Sequence, residues 1–502
     1  MKLPKITAAI SAAALVAVLT GCGATTDPTG STTDSTGATS SSSVTATGFV
    51  SLADTHAESD DADYDPAAAT TITLAQGAST VDGAGASVKG DVVTITSAGT
   101  YVLSGSLSDG QVVVDSTGDG QVKLVLDGVD ITSSTTSPVV VTAADEAVVI
   151  LADGTTNTLS DSAASASDDG EDDAPTATLF SMADLTIAGS GALHVTGAGN
   201  DAISSKDGLV ILSGTIDVQA ADDGIRGKDY LVIEGGTTTV TAGGDGLKSD
   251  NATTGELGWI QVDTGDITII AGSQGADAVG SIKIADGTVD VATSEEGLQA
   301  AVITIAGGTV DITAADDGLN ATSHTVEGGG EEAEDGVLAT ISGGTVTVAA
   351  GSDGIDSNGS ATITGGTVAV SAQGGGGGNG ALDVNGTLTA PAIVTIDSSS
   401  VAAGDRITIT DSTNKVIASW VNNGTSATVV VSSASITSGH SYTVYTGKSS
   451  SPTSLDGLTK GSTVTATDAS QAATRMGGGG GGHMPGGGPG RPMPQDSTTT
   501  SI

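Results

Sequence analysis

Apolar and polar side chains alternate at every second position through short runs in the middle of the chain, and the runs recur at a fixed spacing. Leu209-Val-Ile-Leu and Thr215-Ile-Asp-Val are two of them, each closed by Gly or Asp. Period-2 alternation predicts short strands with one face turned inward, and a fixed period predicts stacked copies of one unit. The phrases Asp201-Ala-Ile, Asp223-Gly-Ile and Asp245-Gly-Leu stand 22 residues apart. Asp277-Ala-Val, Glu296-Gly-Leu, Asp317-Gly-Leu and Asp353-Gly-Ile fill the same slot further on. A second marker, Gly-Thr-(Val/Ile), runs through Thr215, Thr237, Thr288, Thr309, Thr345 and Thr367. The long step from Thr309 to Thr345 holds an acidic insertion, His324 to Asp335.

Twenty-two extended residues trace about 70 Å at roughly 3.3 Å each, enough for one coil of three short strands and three turns. A propeller blade needs about 40 or more residues, and helical repeats need 3.6-period segments that are absent here. The pattern therefore predicts an all-β parallel β-helix. In such a solenoid, inward Val, Ile and Leu stack from coil to coil at about 4.8 Å. Gly and Asp mark the turns as residues that tolerate positive φ. Right-handedness is the default for parallel crossovers.

The flanks read differently. Residues 1–22 carry Lys2 and Lys5, an apolar run Ile6–Leu19 and then Leu19-Thr20-Gly21-Cys22, a targeting segment too short to span a membrane well. Its end resembles a bacterial lipobox, which implies cleavage before Cys22, lipidation of that thiol and a membrane-anchored protein at the cell surface. Cys22 is the single cysteine, so disulfides and Cys-based sites are excluded. Residues 23–66 read as a Ser/Thr/Gly/Asp-rich flexible tether, 67–390 as the β-helix with atypical opening coils, and 391–447 as a small antiparallel β unit closing its open end. Residues 448–502, with their Gly/Pro-rich stretch, read as a disordered tail. Asp61-x-Asp63-x-Asp65 fails as an EF-hand loop, because Pro66 stands where its glycine is required.

Fifty-nine acidic against 15 basic residues give a formal charge of −44, which argues against nucleic acid and anionic membrane surfaces as direct partners. Equivalent carboxylates on neighbouring coils would stand about 5 Å apart, where repulsion is roughly 1 kcal/mol per pair even in water. One Asp suffices for a turn, so the doubled acids point to a cation between coils. The expected ligands are Asp201, Asp222, Asp223, Asp245, Asp250, Glu295, Glu296, Asp316, Asp317, Asp353 and Asp356, and several Ca²⁺ ions fit their hard oxygen chemistry. The histidines at 56, 194, 324, 440 and 483 show no metal spacing, and no serine triad or phosphate loop is present.

Five phrases carry a resemblance: 95–115 (ITSAGTYVLSGSLSDGQVVVD), 124–134 (LVLDGVDITSS), 151–161 (LADGTTNTLSD), 221–229 (ADDGIRGKD) and 243–251 (GGDGLKSDN). The chain resembles the bacterial lipoprotein family of carbohydrate-binding β-helix proteins, similar in fold to polysaccharide lyase family 9. That resemblance implies a right-handed β-helix, Ca²⁺ held by turn carboxylates, and binding of plant cell-wall glycans, acidic ones included. Tyr230 and Trp259 are the repeat region's only candidate aromatic platforms, which argues against a neutral-sugar specialist. The expected function is calcium-dependent binding of an acidic polysaccharide by a monomer, without catalysis, through Lys206, Arg226, Lys228, Tyr230 and Lys248. A polysaccharide lyase is the first alternative, with Lys206, Lys228 or Lys248 as candidate base and Ca²⁺ as electrophile. A calcium-stiffened adhesin or surface spacer is the second.

Overall fold

The computed structural model describes residues 48–162, 174–324, 332–373, 380–422 and 428–469. The targeting segment with Cys22, the tether up to residue 47, most of the Ser160–Pro175 loop, most of the His324–Asp335 insertion, His483 and the chain beyond 469 lie outside the described residues. Within them the protein is all-β. Thirty-six strands join one sheet dominated by parallel pairings, four strands form a separate antiparallel sheet, and the helical element is the 3-10 turn Leu52–Asp54.

Each repeat gives one strand to each of three parallel ladders. The first stacks Thr215–Ala220, Thr237–Ala242, Asp266–Ala271, Thr288–Ser294, Thr309–Ala314, Thr345–Ala350 and Thr367–Ala372. The second stacks the short strands Ile225–Gly227, Leu247–Ser249, Leu319–Ala321, Ile355–Ser357 and Leu382–Val384, with the first halves of Ala276–Ile284 and Leu298–Ile305 between them. The third runs from Gly208–Ile211 through Tyr230–Ile233 and Trp259–Val262 to Ser360–Ile363. Alternation explains the core. Val218, Val240, Ile269, Val291, Ile312, Val348 and Val370 follow one another at one register position, and all are buried.

The register corrects the marker pattern in two places. Asp266 pairs with both Thr237 and Thr288, so a whole repeat begins on Asp where the Gly-Thr marker is absent. The glycines of the Asp-Gly slot are not the positive-φ ones; those sit before the first-ladder strands, at Gly214, Gly236, Gly287 and Gly344 among others. What the slot glycine meets is close approach. A Cβ on Gly318 would collide with Val348 Cγ1 and lie 2.6 Å from the Gly354 carbonyl oxygen of the next repeat.

Both ends are capped by antiparallel pairing. Thr80–Asp82 and Ala86–Lys89 close the first end, and Thr428–Ser433 lies against both Thr367–Ala372 and Ile393–Asp397 at the other. The separate sheet joins Val416–Val421, Arg406–Thr410, Ser441–Gly447 and Leu458–Thr465 over a core holding Trp420 and Tyr442. Ordered structure thus runs past 448 into the segment expected to be disordered. The β-branched run to Thr465 finds an unpaired edge on Ser441–Gly447, and Gly/Pro richness starts only beyond Arg475.

The stretch from Gly48 to Asp63 is also not a free tether. It is a strap laid across the outer face of the third ladder. Gln261 clasps it with both amide groups, accepting from Val50 N–H at 2.8 Å and donating to Val50 O at 2.7 Å. Lys283 Nζ donates to Gly48 O, and Lys123 Nζ donates to Asp61 O and Asp63 O at 2.9 and 3.0 Å. Val50, Leu52 and Ala57 pack over Trp259.

Candidate functional site

The slot acids begin the second-ladder turns, and their first task is structural. Asp201 Oδ1 accepts from the N–H of Asp223 (3.3 Å), Asp223 Oδ1 from Asp245 (2.9 Å) and Asp245 Oδ1 from Gln274 (3.0 Å). Asp317 Oδ1 accepts from Asp353 (2.8 Å), and Asp353 Oδ1 from Gly380. One oxygen of each carboxylate therefore ties its repeat to the next, and the second oxygen is left for other chemistry. Gln274 occupies the slot assigned to Asp277, which stands instead in a strand between Lys248 and Gln299. Asp222, Glu295 and Asp316, the first members of the doubled acids, are exposed on the rim.

Beside the slots runs an outward-facing column of the second ladder, and its chemistry changes along its length. Phe180, Ser204, Arg226 and Lys248 share one register position, followed by Asp277, Gln299, Asn320, Asp356 and Asp383. The column divides the site into a mixed-charge end and an acidic end.

At the mixed end Lys248 Nζ bridges Asp223 Oδ2 (2.9 Å) and Asp245 Oδ2 (2.7 Å). Burial works against its charge, yet these two hydrogen bonds hold its pKa above the usual lysine value. Arg226 grips Asp250 at 2.6 Å and reaches Asp201 at 3.9 Å. Burial and repulsion from Asp223 push the Asp201 carboxyl up to about 7, with Arg226 opposing. Lys206 makes no ion pair among the described residues and lies 5.9 Å from the Phe180 ring centre. Burial, then Arg226 and Lys228, push its pKa down. Asp201, Lys206, Asp222, Asp223, Arg226, Lys248 and Asp250 line an open groove of about 460 Å³. Lys228 follows Lys206 one repeat on and makes no ion pair among the described residues. The lysines do not form one column: Lys248 is in register with Arg226, whereas Lys206 and Lys228 sit beyond the strands.

The acidic end has no Lys or Arg. Seventeen acids and not one of either stand between Ile284 and Arg406. Burial first, then neighbouring carboxylates, push Asp317 up to about 6, Asp353 to about 7 and Asp356 to about 8. Oε2 of Glu296 and Oδ1 of Asn320 are buried without a hydrogen-bond partner. His324 is 3.2 Å from Asp277, and that contact raises its pKa. Asn320, Asp383 and His324 escaped the sequence pattern because they do not occupy the slot. Among the described residues, no three His, Cys, Asp or Glu groups already converge as a metal cage.

Tyr230 is not offered to a ligand. It stacks on Trp259 with ring centres 4.9 Å apart, and its hydroxyl meets His56 Nδ1 at 2.7 Å. Trp259 is 8% exposed beneath the strap. The aromatic pair belongs to the strap's binding face rather than to the groove.

Residues 89–337 match the family described as carbohydrate-binding domain-containing protein, the family the sequence phrases resemble. A protein of that description from Acetivibrio thermocellus is 32% identical over 136 residues, 27% of this chain and 48% of its own length. The chain thus spans about half the length of the curated relative it matches. A solved polysaccharide lyase-like protein from C. thermocellum, a gadolinium derivative, is 32% identical; the alignment covers 48% of this chain and 93% of that one, with a TM-score of 0.43.

Proposed function

We propose that this protein is a lipoprotein, anchored at the bacterial surface through Cys22, that binds an acidic polysaccharide with the help of calcium and without catalysis. In this reading the three ladders wind as a right-handed parallel β-helix similar to polysaccharide lyase family 9. One observation carries the polysaccharide assignment. Of the six Lys and Arg residues between Gln111 and Thr389, three line the mixed-charge groove, Lys228 lies near enough to Lys206 to lower its pKa, and the other two, Lys123 and Lys283, hold the strap. Arg226 and Lys248 are committed to acids, which leaves Lys206 and Lys228 to receive a uronate carboxylate. In a chain of charge −44, an anionic polymer has no comparable landing point among these repeats. Aromatic platforms are not required for such a ligand, since charge-assisted hydrogen bonds supply the contact.

The test is retention on insoluble polygalacturonate against neutral glucan, at low and high salt. Lys206→Glu with Lys228→Glu is expected to lower acidic-glycan retention at least tenfold while neutral-glucan retention is unaltered. Equal retention of the variant and the parent would refute the groove assignment. The lyase alternative keeps one specific support, the unpaired Lys206 with its lowered pKa, the property asked of a general base. Ultraviolet absorbance from unsaturated uronate products, formed with calcium present and abolished by Lys206→Ala, would select it.

A further inference from the structure

The strap is held by two kinds of chemistry. Beneath it runs one outward column of the third ladder, Lys123, Val148, Thr186, Val210, Val232, Gln261 and Lys283, each in register with the next. Lys123, Gln261 and Lys283 grip backbone groups of the strap, which carry no titratable proton. Side chains do the rest. The Asp61 carboxylate is 2% exposed and shares one amide with Glu146: Gln121 Nε2 donates to Asp61 Oδ1 at 2.7 Å and to Glu146 Oε2 at 2.8 Å. Docking thus sets an acid of the strap against an acid of the solenoid. His56 completes the network. Its Nε2 meets Thr186 Oγ1 at 3.0 Å, and that hydroxyl donates to Glu146 Oε1 at 3.3 Å. Its Nδ1 lies 3.2 Å from Asp184 Oδ1. With Thr186 donating onward, both ring nitrogens face acceptors, and only the imidazolium has a proton for each.

We propose that the strap is a proton-operated latch, closed in acid and opening as the pH rises. Opening bares Val210, Val232 and Trp259, which Val50, Leu52 and Ala57 cover. It also shifts the chain's departure from the solenoid from the Lys283 repeat to the Lys123 repeat, six steps or roughly 30 Å at about 4.8 Å each. Around the latch stand His56, Glu58 and Asp61 of the strap, Lys123 and Glu146 of the opening repeats, and Asp184, Asp207, Asp229 and Tyr230 of later ones. Burial pushes the Glu146 carboxyl up, the Gln121 hydrogen bond opposes it, and Asp61 adds to the rise. Burial first, then Asp184 and Asp229, push Asp207 up to about 6, with His56 opposing. Carboxyls raised in the closed state favour closure fully below their ordinary values of 4.5 and 3.8, and that contribution is lost as pH rises through the raised ones. The contact of His56 with Asp184 acts in the same direction, because the imidazole is charged only when protonated. The latch requires neither the groove lysines nor a bound metal.

The experiment is amide hydrogen exchange of the full chain from pH 5 to 8.5, corrected for the intrinsic rate at each pH. Protection of the Val50 and His56 amides, which donate to Gln261 and Tyr230, is expected to fall at least tenfold across that range. Val240, buried in the first ladder, is the control for the body and is expected to stay protected throughout. Acrylamide quenching of Trp259 is the second readout, with a Trp259→Phe chain supplying the Trp420 background, and is expected to rise with the loss of protection. Glu146→Gln keeps an acceptor for Gln121 without the charge and is expected to hold the strap at pH 8.5 as the parent does at pH 5. Asp61→Asn, which removes the strap's own charge and leaves the solenoid unaltered, carries the same expectation should Glu146→Gln lower Val240 protection. His56→Ala is expected to loosen the strap at pH 5. Strap protection that is level with pH in the parent overturns the latch, as does a parent-like pH profile in both carboxylate variants.

Discussion

The smallest unit that decides this site is the bridging lysine. Lys248 joins two carboxylates that are almost wholly buried and belong to successive repeats. Removing one member of such a group leaves the other charges buried and uncompensated, which is costlier than never having had them. Lys248→Met is therefore expected to destabilise the protein by about 2 kcal/mol, a value kept low because the ammonium retains some solvent access. Urea denaturation at neutral pH measures it. Adding Asp223→Asn to Lys248→Met is expected to recover part of the loss, since it removes one of the stranded charges; a strictly additive double variant would contradict the bridge.

At the scale of the repeat, the stacking distance is set by what the slot glycine lacks. The backbone of each repeat passes so near the next that a methyl group on Gly318 meets Val348 and the Gly354 carbonyl together. Gly318→Ala is expected to cost about 2 kcal/mol, within the range for overpacking a tight core. Gly255→Ala, with open space around it, is expected to be neutral in the same thermal melt. This level of organisation was largely legible in the sequence, because burial imposes period 2 on each strand and stacking imposes the same phase on successive repeats. The repeat at Asp266 stayed hidden, since an outward first position accepts Asp as readily as Thr and leaves the inward residues Ile267 and Ile269 unchanged. Asp277 was misassigned because Asp-Ala-Val imitates the slot phrase, whereas only pairing shows it opposite Lys248. The strap escaped for another reason. Its Ser/Asp/Ala composition is that of a linker, and what orders it is Gln261, Lys283 and Trp259, some 200 residues away in sequence.

For the whole molecule, the acid column makes stability a function of pH, and the sign can be worked out. Asp201, Asp317, Asp353 and Asp356 have folded pKa values of about 7, 6, 7 and 8, all above the ordinary 3.8. A carboxyl raised by folding binds protons more tightly in the folded chain, so its contribution is complete below about pH 4 and is lost as pH rises through its folded value. His324, raised by Asp277, acts in the same direction. Asp109, Asp397 and Asp411 are lowered by hydrogen bonds from Ser134, Ser399 and Thr413 and work oppositely, since their contribution is lost as pH falls through their depressed values. These groups are exposed, so their share is small, but they set a floor at the acid end. The chelator-treated chain is therefore expected to melt at progressively higher temperature as pH drops from about 8.5 to about 5, and lower again below about 4. Calcium should flatten the upper limb, because an ion between the carboxylates replaces the protons that otherwise relieve them. Melting curves by circular dichroism, with and without calcium at each pH, measure both effects. A metal-free melting temperature that is level or rising between pH 5 and 8.5 would mean that the column's carboxylates are not crowded, and the cation they call for would lose its physical ground.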